Sequence, residues 1–341
     1  MMLARARYFL SVVCAVSTAV FCLWYAPGYA QTLEELYKMA LKEGGRLTYY
    51  GTLAPNQASK ILPLFEKRFP GIKVEQIDAT ADKLAARAIA EARGGKTFGD
   101  VISMSMENVM HVFEQGLLLE KLPPEADAYP AELKGSYWVA AEFDFIVAAW
   151  NTKMVSKQDE TKQFEDFADP KWKGRLMADP RDADLLIGLA NHKYKNEEKA
   201  IELLKRIAAN NLEFHRGHSQ LAELLVAGQG AVCLTCYSHH FPARIKQGAP
   251  VDYMLSEGVG AISATAVFKG APHPNTAWLF HRWASSEEGQ RIFAAGGRTP
   301  AHPKVEPVDK TRPQKIYAIN DKDYKEFSRY EKIWKEIFKI R

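Results

Sequence analysis

The string Cys236-Tyr-Ser-His-His240 gathers more chemistry than any other in the chain, since cysteine, tyrosine and histidine are all metal-ligand types. Cys233 stands three residues before Cys236, a spacing found in zinc sites and redox motifs. Ala231–Thr235 reads as a buried strand, and in a regular strand the two cysteines would face opposite ways. Their Cα atoms would then lie roughly 10 Å apart, beyond disulfide reach. The sequence therefore favours separate buried or ligand-adjacent thiols, with a disulfide and a thiolate metal pair as alternatives. A second constellation, Asp179-Pro-Arg-Asp-Ala-Asp184, falls between a strand end and a helix start, where backbone N–H groups favour an anion. Arg181 suits a carboxylate or phosphate through bidentate hydrogen bonds, whereas the aspartates suit a cation or an amine. The loop leaves the sign of a ligand open, as does Arg298 after Gly296-Gly297.

Catalytic signatures are missing from the sequence. It has no Gly-x-Ser-x-Gly elbow, no His-Glu-x-x-His, no phosphate loop and no dinucleotide fingerprint. An exported enzyme would need Cys236, His239 and Asp144 to converge, with a thiol and an imidazole in hydrogen-bond reach.

The elements that must position these groups alternate strand and helix. Arg46–Tyr50 is a short strand, Gln57–Phe69 a helix stopped by Pro70-Gly71, and Ile72–Ile77 a period-two strand. Thr80–Arg93 is an alanine-rich helix, Asp100–Ser103 a strand and Asn108–Gly116 a helix with its cap. After residue 174 the pattern resumes: strand 175–178, helices over 182–191, 197–210 and 220–227, then strands 231–235 and 251–255. Helices over 276–284, 287–295 and the tail from Asp321 complete it. Such βα alternation makes a mostly parallel sheet covered by helices, with ligands beyond the carboxyl ends of strands. Val139–Asn151 is the exception. Thirteen apolar-rich residues, interrupted by Glu142 and Asp144, would span about 43 Å, more than twice a usual strand. We read it as two strand pieces joined in passing between compact units, with a second passage at Gly258–Ile262.

Length and composition fit that division. The 341 residues exceed a typical single domain about twofold. Residues 1–30, with Arg5 and Arg7 before an uncharged run and Gly28-Tyr29-Ala30 at its end, read as a signal peptide cleaved after Ala30. The remainder carries a formal charge of +2 and no basic stripe, which excludes nucleic acid as a natural partner.

Several strings in order resemble one family: Lys42–Tyr50, Phe65–Gly71, Asp100–Ile102, Ala148–Thr152, Trp172–Arg175, Ala178–Pro180, Gly270–Pro274, and most distinctively Ala277-Trp-Leu-Phe280 through Ser285–Gln290. Together they resemble the extracellular solute-binding proteins of ABC importers, near the branch that includes periplasmic ferric-ion-binding proteins. The resemblance implies an α/β, two-lobed periplasmic-binding-protein fold of the clamp-like type II, with hinge strands. Lobe 1 would be 31–141 plus 260–305, and lobe 2 would be 142–259 plus 306–341. It implies a periplasmic monomer without turnover, whose partners are its ligand and ABC permease subunits. Ligand contacts would come from both walls: Tyr49, Thr52, Ser103, Asp144, Arg181, Cys236 and Tyr237. In the ferric-binding relatives two consecutive tyrosines sit at the strand end matched by Tyr237. Here the neighbours are Cys236 and Ser238, so the dyad is broken. A small polar, charged solute is therefore expected first, with no cofactor. Ferric iron, held by Tyr237, His239 and His240, is the alternative.

Overall fold

The computed structural model describes residues 32–340, apart from the side chain of Asp321. The expected signal segment lies outside the described residues. The first half begins with α1 (Leu33–Lys42), β1 (Arg46–Gly51), α2 (Pro55–Arg68), β2 (Lys73–Ile77), α3 (Ala81–Arg93), β3 (Val101–Ser105) and α4 (Met106–Glu114). Next come β4 (Val139–Asn151), β5 (Leu176–Ala178), α5 (Ala183–Ile187), a π-helical stretch (Gly188–Tyr194), α6 (Glu197–Ala208), β6 (Glu213–Phe214), α7 (His218–Val226) and β7 (Val232–Tyr237). The chain closes with α8 (Pro242–Lys246), β8 (Val251–Tyr253), β9 (Glu257–Val267), α9 (Pro274–Ser285), α10 (Glu287–Ala295), β10 (Thr299–Pro300), β11 (Lys315–Ala318), α11 (Asp321–Tyr324) and α12 (Phe327–Phe338). Among the described residues no helix is long and apolar enough to cross a membrane.

The pairing order is β2-β1-β3-β9-β4-β7-β5-β6, with β8 and β10 on β4 and β11 on β9. Short strands pair in parallel within each half: β1 with β2 and β3, and β5 with β6 and β7. The two long strands run antiparallel to each other, β9 also to β3 and β4 also to β7, whereas β11 pairs with β9 in parallel. Residues 46–103 and 175–235 thus belong to one hydrogen-bonded array, bridged by β4 and β9, and no break in the sheet marks the lobe boundaries expected from sequence.

β4 corrects one expectation. It is a single 13-residue strand rather than two joined pieces. Its length is accommodated by a register shift against β9 between Ala140 and Glu142, and by a change of partner at Ile146, where pairing with β9 gives way to pairing with β7. A bulge bends the strand and increases its local twist, which lets one strand serve two neighbourhoods. Every residue of β9 is buried, and β4 is buried apart from a half-buried Phe143, as expected of strands covered on both faces.

Two local departures have steric causes. The helix expected over 182–191 holds α geometry only to Ile187 and then widens into the π-helical stretch. At that transition Gly188 lies so close to β9 that a Cβ would sit 2.5 Å from a Val259 methyl. On β1, Tyr49 and Gly51 share a face, and the tyrosine ring folds over the glycine, where a Cβ would lie 2.1 Å from it. Tyr49 is held there against Phe280, with ring centroids 5.2 Å apart.

Candidate ligand-binding cleft

A cavity of about 480 Å³ opens between the ends of the two sets of βα units. The first half contributes Thr52 after β1, Gln57 on α2, Lys83 on α3, and Ser105 with Glu107 where β3 turns into α4. The second half contributes Arg181, Asp182 and Asp184 after β5, His218 and Gln220 at the start of α7, and Tyr237, His239 and His240 after β7. Asp144 and Ser263, on the two long strands, form its floor with Arg298. This is the geometry of open α/β sheets, whose carboxyl-end loops converge on a crevice.

Most charged groups here are already matched by the protein. Arg298 forks onto both carboxylate oxygens of Glu142 and reaches Asp144 Oδ1 at 3.2 Å. Its Nη1 donates to His239 Nε2 at 2.9 Å, which leaves His239 Nδ1 to donate to Asp144 at 3.3 Å. Burial, then the Arg298 charge, lower His239 to about 4, so the imidazole is neutral and that tautomer is the consistent one. Burial works against the Asp144 charge, yet Arg298 and His239 hold its carboxyl well below the usual range. Ser263 also donates to it at 2.8 Å.

The Asp179–Asp184 loop is equally engaged. Arg181 donates from Nε and Nη2 to Asp179 at 2.8 and 2.5 Å, and from Nη1 across the cleft to Asp82 at 2.8 Å. Arg216 reaches the other oxygen of Asp82 at 2.6 Å. His218 Nε2 meets Asp182 at 3.0 Å, and its ring stacks on Tyr237 with centroids 3.7 Å apart. Burial opposes a charge on His218, but Asp182 and Asp179 outweigh it and raise its pKa.

Glu107 and Asp184 differ. Glu107 accepts from Ser105 Oγ at 2.5 Å and Asn108 Nδ2 at 2.7 Å, with no ion-pair partner among the described residues. Asp184 is 6% exposed, and its Oδ1 has no hydrogen-bond partner among the described residues. Burial, then the charges of Glu107 and Asp182, push its carboxyl well above the usual range. Burial also raises Glu107.

Thr52, Asp144, Arg181, Tyr237, His239 and His240 therefore lie on the cavity wall, while Tyr49, Ser103 and Cys236 do not. Tyr49 is buried behind the wall, Ser103 bonds Thr265 at 2.9 Å, and Cys236 is in a disulfide with Cys233. The sequence placed those cysteines out of bonding reach. Their Cα atoms are in fact 5.8 Å apart, because three steps along β7, from Cys233 to Cys236, oppose two steps along β4, from Ala149 to Val147. The extra residue brings both sulfurs to one side. Cys236 is thus no thiol nucleophile, although His239 and Asp144 do meet. Among the described residues no three His, Cys, Asp or Glu side chains converge where a metal could sit.

Glu107, Gln57, Lys83, His218 and Gln220 were not singled out from sequence. Glu107 had a signal, since it lies two residues past the strand end Ser103–Ser105; the others sit at helix starts that nothing local distinguishes.

The model of the bacterial extracellular solute-binding proteins matches residues 60–318. The chain belongs to that family. The major ferric iron-binding protein of Neisseria meningitidis serogroup A is 26% identical over 301 residues, covering 82% of this solute-binding protein and 90% of the relative. Among solved structures, the periplasmic binding protein AfuA of Actinobacillus pleuropneumoniae, with exogenous fructose-6-phosphate bound, superposes with a TM-score of 0.72 at 22% identity, covering 87% and 99% of the two chains. Iron-bound HitA of Pseudomonas aeruginosa gives a TM-score of 0.71 at 20% identity, covering 86% and 99%. The two-lobed binding-protein fold of this solute-binding protein follows from these likenesses.

Proposed function

We propose that this protein is the periplasmic binding component of an ABC importer. It closes on a small, polar, charged solute and passes it to a membrane permease without turnover. The observation that carries the reading is the cavity itself: about 480 Å³, walled by polar side chains from both halves and floored by β4 and β9. That volume lies in the range of small-molecule sites. The lobes are 31–141 plus 260–305 and 142–259 plus 306–341, turning where β4 and β9 cross between them. The mature chain works as a monomer after release of residues 1–30. Native mass spectrometry of protein purified from its periplasm, with small-angle scattering before and after solute removal, tests this. The expected result is a bound solute and a more compact particle when it is present. A protein that carries no solute, and that no solute compacts or stabilises, overturns the reading.

Ferric iron is the second reading, favoured by the naming of the Neisseria relative and by Tyr237 beside several carboxylates. It is ranked lower because Tyr237 is the one tyrosine on the cavity wall among the described residues. A visible tyrosinate-to-iron band appearing with ferric citrate and lost on chelation would reverse the order.

A further inference from the structure

Glu107 and Asp184 line the same cavity from opposite halves of the molecule. Of the cations on its wall, Arg181, Arg216 and Arg298 are each held by carboxylates of the protein and Lys83 is exposed to solvent, and neither Glu107 nor Asp184 forms an ion pair among the described residues. The Oδ1 of Asp184 is buried without a donor among the described residues. A buried acceptor left unpaired is costly, and more so when charged, so a native protein keeps one only where something else satisfies it.

We propose that Glu107 and Asp184 form a subsite for a protonated nitrogen of the solute, an ammonium or guanidinium group bridging the two halves of the cleft. This rests on the solute-binding reading above and narrows it to amine-bearing solutes. A cationic nitrogen supplies both the missing charge and the missing N–H donors, and it meets one carboxylate from each half, so the same contact that selects the solute draws the halves together. A neutral hydroxyl offers a donor but no charge, and an anionic group would face two unmatched carboxylates.

Matched pairs of solutes test it by thermal shift and calorimetry: putrescine against 1,4-butanediol, glucosamine against glucose, O-phosphoethanolamine against glycerol phosphate, with ferric citrate as a further arm. At least one amine member is expected to bind and its hydroxyl partner to bind about 10- to 100-fold more weakly, the loss expected for a charge-assisted hydrogen bond. Asp184→Asn and Glu107→Gln, both isosteric, should each weaken the amine by at least about tenfold without lowering the melting temperature of the solute-free protein. Hydroxyl members or ferric citrate binding in place of amines, or amine affinity unchanged in both variants, overturns the subsite and leaves solute capture standing. A panel in which nothing binds counts against both.

Discussion

Asp82 sits at the start of α3 and ties the two halves together without touching the cavity. It receives Arg181 at 2.8 Å and Arg216 at 2.6 Å, and both arginines belong to the opposite half. Asp82→Asn removes the charge while keeping the shape. The side chains are 29% exposed for Asp82, 21% for Arg181 and 54% for Arg216, so each pair falls in the exposed to part-buried class. Such pairs contribute about 0.2–1 kcal/mol each. Together they stabilise the joined arrangement by about 1 kcal/mol, or about fivefold in an equilibrium between joined and parted halves. Arg181 is not orphaned in the variant, because Asp179 still accepts from Nε and Nη2. If ligand binds the joined form, the apparent dissociation constant rises as that form is depopulated, up to about fivefold, with no ligand contact removed.

The assay is small-angle scattering on solute-free protein, where Asp82→Asn should give the larger radius of gyration. At 1 M salt, where the Debye length is about 3 Å, the wild type should approach the variant. The pH dependence has a definite sign. Burial works against the Asp82 charge, but neighbouring Thr80 together with Arg181 and Arg216 outweighs it and lowers its pKa. The stabilisation is therefore present above the unfolded carboxylate value of about 3.9 and is lost as pH falls below it. Identical scattering curves for variant and wild type at low and high salt would refute the clasp.

Three other outcomes follow from buried groups. Arg298→Leu leaves Glu142 and Asp144 as buried carboxylates without their cation, and should cost about 3–5 kcal/mol in chemical denaturation; a cost below about 1 kcal/mol would show that the triad is not buried in solution. Replacing Cys233 and Cys236 together by serine opens a four-residue loop, and chain entropy alone predicts a loss of about 2 kcal/mol, read as the difference from wild type under oxidising conditions. His281 is fully buried, with neither ring nitrogen hydrogen-bonded among the described residues, and burial lowers it to about 3. Because the unfolded chain takes up this proton near pH 6.5 and the folded chain does not, wild type should lose about 1.5 kcal/mol between pH 6.5 and 5 that His281→Phe does not lose.

The fold was legible where the signal is local. Alternation in residues 73–77, helical spacing in 57–68 and the turn pairs Pro70-Gly71 and Gly94-Gly95 report on their own segments, and those elements stand within a few residues of where the sequence put them. What failed depended on partners distant in the chain. The disulfide rests on a bulge that β7 makes only because β4 runs beside it. The widening of the helix at Gly188 answers to Val259, and the continuity of β4 answers to both β9 and β7. The site shows the same division. Strand ends pointed to the right regions, but the Arg298–Glu142 pair, 156 residues apart, and the Arg181–Asp82 pair, 99 apart, carry no mark in the sequence.

That division also decides how the sign of the cleft must be judged. Arg181, Arg216, Arg298 and Lys83 on the cavity wall would by themselves suggest an anion site, and Asp179-Pro-Arg-Asp-Ala-Asp184 by itself suggested nothing definite. Electrostatic recognition depends on the charge that remains after internal pairing, since a cation already forked onto a carboxylate offers little net field to a ligand. Arg298 is spent on Glu142 and Asp144, Arg181 on Asp179 and Asp82, and Arg216 on Asp82. Lys83 has no ion-pair partner among the described residues but is exposed to solvent, and what is left at depth is carboxyl: Glu107, and Asp184 with an oxygen that no described residue satisfies. One half of the molecule supplies the first and the other half the second, so the carboxyl groups left without a cation face the cavity where the two halves meet. A family fold that hosts unrelated ligands is silent on this point, and the pairing pattern of these few side chains is where this chain's own preference is written.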